Sequence, residues 1–105
     1  MMPEECLLVL IGPPALEEPL ADWLLDRSNG TGFSTVPLSG HGSGLTGLSV
    51  AEQVAGRQRR VQFQIHGPRA GLEALLSDLK AEFAGADLHY WMIPLLAAGH
   101  LGHAD

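Results

Sequence analysis

A glycine-rich stretch near the middle of the chain contains the residues best suited to binding an anion. Four glycines lie between Gly40 and Gly47, and His41 follows the first of them. Because glycine readily adopts positive φ, such a stretch can turn its backbone N–H groups toward phosphate or carboxylate oxygens. Three arginines follow in residues 57–60, and they are half of the Lys plus Arg of the chain. The sequence therefore predicts an anion-binding site without naming the ligand.

Backbone alternation limits which of these arginines can share a ligand. Arg59 and Arg60 are neighbours at the start of a predicted strand, so their guanidinium groups point to opposite faces. We therefore expect Arg57, in the loop, and Arg60, on the polar face of the strand, to meet an anion held by the glycine amides. The alternative interpretation is a flexible loop with a solvated run of charge. The predicted effector-binding residues are Gly40, His41, Gly42, Ser43, Gly44, Glu52, Arg57 and Arg60.

The glycine-rich stretch belongs to a long connection between two predicted strands. One apolar pattern stops at Leu38 and the next starts at Val61, which leaves residues 39–60 as a loop. Loops in compact domains usually have about 4–6 residues, and much longer ones are functional or disordered. Residues 42–47 also satisfy G-x-G-x-x-G, the fingerprint of dinucleotide-binding folds. We reject that interpretation because the motif follows the second strand and no acidic residue ends a strand about 20 positions further on.

The second half of the loop carries a helix signal. Ser49 and Glu52 have the spacing of a capping box, in which each side chain bonds to the backbone N–H of the other. Gly56 stands where a glycine commonly ends a helix. We therefore expect a short helix over residues 50–55.

The histidines of the chain suggest a second kind of site. His41 lies between glycines and outside any apolar pattern, so it is a candidate metal ligand as well as an anion contact. His100 and His103 have a spacing that allows a shared metal ion, although two histidines without a third ligand make an incomplete site. Ser43 lies near His41, but no nearby carboxylate would orient the imidazole as hydrolytic catalysis requires. We do not expect an enzyme.

Composition restricts the class of protein. A chain of 105 residues with 46% hydrophobic and 17% charged residues suits one domain with a single core. The net charge of −6 argues against nucleic acid as a partner, because three arginines cannot supply the many phosphate contacts that such binding needs. Cys6 is the only cysteine and lies in an apolar run, so we expect it to be buried. The acidic N-terminus resembles no signal peptide, and we expect a cytoplasmic protein without membrane insertion.

Apolar patterns outside the loop predict four strands and two helices. Residues 6–11 are apolar on both faces of a strand, which is typical of a strand in the middle of a sheet. Pro37 places the second strand at an edge, where a missing N–H donor costs nothing. The predicted strands are residues 6–11, 33–38, 61–66 and 87–93; the first helix covers residues 16–26, and the second starts at Gly67-Pro68 and ends at Gly85.

The order of these elements, βαββαβ, predicts an α+β ferredoxin-like fold. In that fold two helices cover one face of a four-stranded antiparallel sheet, and the other face is bare. The first strand is apolar on both faces. Large side chains occupy both faces of the last strand as well, where Leu88, Tyr90 and Met92 lie opposite His89, Trp91 and Ile93. We therefore expect other subunits to cover the bare face of the sheet. The tail of residues 100–105 is expected to fray.

Four stretches carry a resemblance to an uncharacterised bacterial family of the PII-like superfamily: GFS at 32–34, GHGS at 40–43, LSVAEQVAGR at 48–57 and YW at 90–91. The superfamily includes the nitrogen-regulatory PII proteins and the CutA divalent-cation tolerance proteins, and the bacterial family is often found beside heavy-metal efflux genes. The resemblance covers residues 7–101. It implies a homotrimer with sheets facing inward and a T-loop, at residues 39–60, that binds effectors and touches target proteins.

Two functions from different classes follow. The first is a non-enzymatic signalling module whose long loop binds a small anionic effector and docks on a target such as a transporter or efflux component. The second is a metal-tolerance protein that holds a divalent or soft cation with His41, His100 and His103. The nucleotide-binding residues of PII do not map one by one onto this loop, so no cofactor is implied.

Overall fold

The computed structural model describes residues 4–27, 32–41 and 58–102 of the chain. The elements follow in the order strand, helix, strand, strand, helix, strand, which confirms the predicted order. A single 3₁₀ turn, Pro14–Leu16, connects the first strand to the first helix. The strands are β1 (Glu5–Gly12), β2 (Ser34–Gly40), β3 (Gln58–Pro68) and β4 (His89–Pro94), and the helices are α1 (Glu17–Arg27) and α2 (Arg69–Glu82).

The four strands form one antiparallel sheet in the order β2-β3-β1-β4. β1 is central, as its two-sided apolar pattern predicts, and Leu8 pairs with Ile65 on one side and Met92 on the other. β2 is an edge strand, which confirms the interpretation of Pro37. The predicted ferredoxin-like fold is therefore confirmed.

The hydrophobic core lies between one face of the sheet and the two helices. Alternate residues of β1 and β3 point into it, and Leu8 and Phe63 are 0% and 1% exposed. Leucines one turn or two turns apart on each helix close the other side. Cys6 is buried in this core, as expected of a small apolar side chain. The helix residues in the core are Leu20 and Leu24 of α1 and Leu72 and Leu79 of α2.

Local chemistry explains where the helices begin and end. Glu17 and Glu18 lie in the first turn of α1, where negative charge complements the helix dipole. α2 follows Pro68 and ends before its C-cap residue, Phe83. Gly85 has a φ of +82°, but it lies in the turn after the helix, one residue beyond the C′ position that the sequence predicts for it. None of the helices in the described parts of the chain is long and apolar enough to cross a membrane.

The strands at the base of the long loop extend further than the sequence predicts. β2 continues to Gly40 and β3 begins at Gln58, because Gly40 pairs with Gln58 and Ser39 with Arg59. These polar residues carry no alternating apolar signal, although their backbones pair normally. The connection therefore covers residues 41–57, of which 42–57, with the predicted helix 50–55, lie outside the described residues.

Candidate functional site

The sheet face opposite the helices is apolar in its centre and polar toward one edge. Val9 lies on this face and is only 3% exposed, because its neighbours on β3 and β4 flank it. Trp91 and Ile93 of β4 and Val36 of β2 are 44%, 42% and 42% exposed. Both helices pack against the other face. The predicted bare face is therefore present in a single described chain, with large apolar side chains open to a partner.

A cluster of polar side chains lies on this bare face, at the end where the long loop joins the sheet. Arg60 is its central residue. The Nε and Nη2 groups of Arg60 donate to Oε1 of Gln58, the first at 3.0 Å. Its Nη1 donates to Oδ2 of Asp87 at 3.0 Å. The Arg60 side chain is only 15% exposed, so its charge is held in a defined position rather than spread in solvent.

The strand register brings Arg60 and Asp87 together. β1 ends at Gly12, which pairs with Val61, so no residue of β1 in the sheet separates Arg60 from the segment that precedes β4. Gly12 also permits that segment to approach, since an added Cβ would lie 2.6 Å from Cδ2 of Leu88. The contact therefore depends on three strands at once.

Gly40, on the neighbouring strand β2, leaves space for the Arg60 side chain because it has no side chain of its own. The two residues lie on the paired strands β2 and β3, and an added Cβ on Gly40 would lie 3.4 Å from Cγ of Arg60. That distance is tight, so a larger residue would press on the arginine stem. The sequence predicts Gly40 and Arg60 as site residues, and the structure brings them together.

The charges of the cluster favour an ionised carboxylate. The hydrogen bond from Arg60 is the largest effect on the pKa of Asp87 and lowers it below its ordinary value. Burial is the second largest effect and raises the pKa, whereas the charges of Arg60 and His89 lower it further. Nε2 of His89 lies 3.4 Å from Oδ1 of Asp87. Asp87 therefore lies between two basic side chains, one on β3 and one on β4.

The other predicted effector residues are only partly located. His41 is exposed and directly follows β2. Arg60 lies on the Gln62 face, and Arg59 on the opposite one, as the alternation predicts. The remaining predicted residues lie outside the described part of the chain: Gly42, Ser43, Gly44, Glu52 and Arg57.

Sequence reasoning missed Gln58, Asp87 and His89 as members of the cluster. Gln58 lies in the stretch assigned to the loop, and Asp87 and His89 lie in the stretch assigned to the last strand. Their contact with Arg60 follows from the register of β3, β1 and β4, which no local pattern reveals. The sequence indicates only which residues of each strand share a face; it does not give the register that brings these residues together.

The predicted metal ligands are only partly described. Nδ1 of His100 accepts a hydrogen bond of 3.0 Å from the backbone N–H of Gly102, within an exposed turn. His103 lies outside the described part. Within residues 4–27, 32–41 and 58–102, no group of three or more His, Cys, Asp or Glu side chains is placed to hold a metal ion.

Comparison with known families decides the family of the chain. The family model described as "Protein of unknown function (DUF3240)" matches residues 2–102. The chain belongs to the DUF3240 family. A crystal structure of a DUF3240 protein from Shewanella baltica OS155 is 27% identical, with a TM-score of 0.75 over 95% of this chain and 99% of that one. No curated protein matches the sequence significantly.

Two other solved structures share the fold of this chain. CPII from Thiomonas intermedia K12, a nitrogen regulatory PII-like protein bound to ADP, AMP and bicarbonate, is 20% identical, with a TM-score of 0.66 over 96% of this chain and 100% of that one. CutA from Synechococcus elongatus PCC7942 is 13% identical, with a TM-score of 0.66 over 90% and 80% of the two chains. The predicted PII-like and CutA-like fold is confirmed.

Proposed function

We propose that this DUF3240 protein is a non-enzymatic regulatory module of the PII type. Its long loop binds a small anionic effector, and the loaded loop then contacts a target protein such as a transporter or efflux component. The observation that carries the proposal is Arg60, whose guanidinium is held in place at the base of the loop. The PII-like fold supports it, since CPII has this fold and was solved with ADP, AMP and bicarbonate.

The proposed site joins the two ends of the loop. Gly40 and His41 lie where the chain leaves β2, and Gln58 pairs with Gly40 where the chain enters β3. The two ends of the loop are therefore attached at paired positions, where β2 ends and β3 begins. In the proposal, backbone amides of Gly42 and Gly44, the Ser43 hydroxyl and the Arg57 guanidinium complete the contacts to an oxyanion. Glu52 belongs to the same loop and has the capping-box spacing from Ser49 that predicts the helix.

We also propose that the working form is a homotrimer with the bare sheet faces turned inward. The support is the combination of Trp91, Ile93 and Val36 on one face, each more than 40% exposed in a single chain. Large apolar patches of this kind mark interaction surfaces. The homotrimer is the assembly that the resemblance to PII proteins implies.

Calorimetric titration with ADP, AMP and bicarbonate, each added separately, tests the proposed anion site. Charge-assisted hydrogen bonds contribute about 1.5–3 kcal/mol, so Arg57→Ala should weaken binding roughly 10- to 150-fold. Arg27→Ala is the control, because Arg27 pairs with Asp78 at 3.2 Å and stacks on Trp23, away from the loop. Wild-type protein that binds none of these anions at millimolar concentration would contradict the proposal, as would Arg57→Ala with unchanged affinity.

The alternative, a cation-binding protein of heavy-metal tolerance, has weaker support. Nδ1 of His100 accepts a hydrogen bond from the backbone N–H of Gly102, so this nitrogen is already used within its own turn. Among the described residues, His41 belongs to no group of three or more His, Cys, Asp or Glu side chains that could hold a metal ion. A rise in melting temperature with Cu²⁺ or Zn²⁺ that disappears in His41→Ala would favour this alternative.

A further inference from the structure

The guanidinium of Arg60 already has partners on both sides. Gln58 accepts two of its N–H groups and Asp87 accepts a third, and the side chain is 15% exposed. An anion that approaches the base of the loop therefore does not meet a solvated charge. Three of the five N–H groups of Arg60 are already used, so an anion that forms a two-pronged contact with Nη1 and Nη2 competes with Asp87 at Nη1.

Asp87 is the partner that can leave. Gln58 lies on β3 two residues from Arg60, so both side chains move with the same strand. Asp87 lies between α2 and β4, outside any helix or strand, and its side chain is 60% exposed. Release of Asp87 into solvent therefore breaks one hydrogen bond and leaves the sheet intact. Its second oxygen remains near Nε2 of His89 at 3.4 Å.

We infer that the Asp87 carboxylate is an internal competitor for Arg60, and that an effector anion binds at the loop base by replacing it. This inference rests on the proposed anion-binding function and specifies the ligand group at Arg60. The group is a carboxylate, bicarbonate or phosphate oxygen, because it occupies the position in which a carboxylate oxygen now lies 3.0 Å from Nη1. Replacement also removes the side-chain contact between Arg60 on β3 and the segment that precedes β4.

Asp87→Asn is the direct test, with bicarbonate, AMP and ADP as separate calorimetric probes. The amide keeps the shape of Asp87 but loses its charge, so it competes less well for Arg60. Exposed ion pairs contribute up to about 1 kcal/mol, which corresponds to roughly 2- to 5-fold tighter anion binding in the variant. The gain should disappear in the double variant Arg60→Gln with Asp87→Asn, because the guanidinium for which the two anions compete is absent.

Asp78→Asn is the matched control. Asp78 makes the same kind of pair, 3.2 Å from Arg27 with a side chain 56% exposed, and its loss changes the net charge equally. Tighter binding in Asp87→Asn and not in Asp78→Asn supports the inference. Binding by Asp87→Asn when wild type does not bind detectably supports it as well. Equal affinity in wild type and Asp87→Asn, or equal gains in both variants, overturns the inference and leaves the proposed function intact. No binding by either protein overturns both.

Discussion

Replacement of Trp91 by alanine tests whether the bare sheet face is an interface between copies of the chain. Trp91 lies on β4, faces away from the helices and is 44% exposed. An exposed tryptophan side chain has a surface of about 250 Å², so roughly 110 Å² of Trp91 is available for burial by a partner. At about 25 cal/mol per Å², complete burial contributes about 3 kcal/mol for each copy.

Trp91→Ala should therefore weaken assembly about 100-fold or more for each interface that buries the indole. Sedimentation velocity over a series of protein concentrations measures this directly, because the variant should dissociate at concentrations at which the wild type remains assembled. Circular dichroism of both proteins establishes that the fold is unchanged.

Tyr90→Ala is the matched control for this experiment. Tyr90 is the neighbouring aromatic residue with nearly the same exposure, 46%, but it lies on the helix side, where its ring is 5.1 Å from Nζ of Lys80. Its loss should leave assembly unchanged. A wild-type monomer at micromolar concentration, or Trp91→Ala that assembles as well as wild type, would refute the reasoning from the bare face.

Three further predictions concern stability. Gly71 lies within α2, and an added Cβ there meets no atom within 4 Å, so Gly71→Ala should raise the free energy of unfolding by about 0.4–1 kcal/mol. Gly85→Ala should lower it by about 1 kcal/mol, because φ is +82° there; urea unfolding of both variants checks the opposite signs. The pKa of Asp87 is lowered in the folded protein, so its pairing with Arg60 stabilises the fold above the ordinary aspartate pKa of about 3.9 and is lost as the pH falls through the lowered value. The urea midpoints of wild type and Asp87→Asn should therefore differ by a constant amount above about pH 5 and converge in acid; a difference that persists unchanged at low pH would contradict the pairing.

The parts of the fold that follow from the sequence are those with a local periodic signal. Val61, Phe63 and Ile65 alternate with polar residues, and they are the buried side of β3. Leu72 and Leu79 lie two helical turns apart, and both face the core of the molecule. In these elements the apolar residues are the buried ones, so the periodicity of the sequence predicts both the type of element and the face that packs in the core.

Turn geometry made the start of β4 harder to predict. The apolar alternation suggests a strand from Asp87, but β4 begins at His89. The backbone N–H of Leu88 donates to the carbonyl of Ala86 at 2.8 Å, and that of Ala86 to Phe83 at 3.0 Å, so the chain is still turning. A pattern of side chains contains no information on such backbone bonds.

The candidate site was only half predictable for a related reason. Gly40 and Arg60 were identified by residue type, as a glycine at a loop entrance and an arginine on a polar face. Asp87 was not, because its contact with Arg60 crosses the end of β1 and depends on the pairing of β1 with both neighbours. Residue types reveal what a site can bind, whereas the internal partners of those residues require the register of the whole sheet.

The pairing of Gly40 with Gln58 makes the loop a replaceable unit of the domain. Residues 41–57 connect two paired positions, the end of β2 and the start of β3. The pairing of these strands therefore does not depend on the sequence of the connection. The entropy of closing a flexible loop rises slowly, by about 0.6 kcal/mol for each doubling of its length. Substitutions and insertions there are therefore compatible with the fold. Under the proposed function, a change of effector then requires changes in the loop alone, while Arg60 keeps its position at the base of the loop.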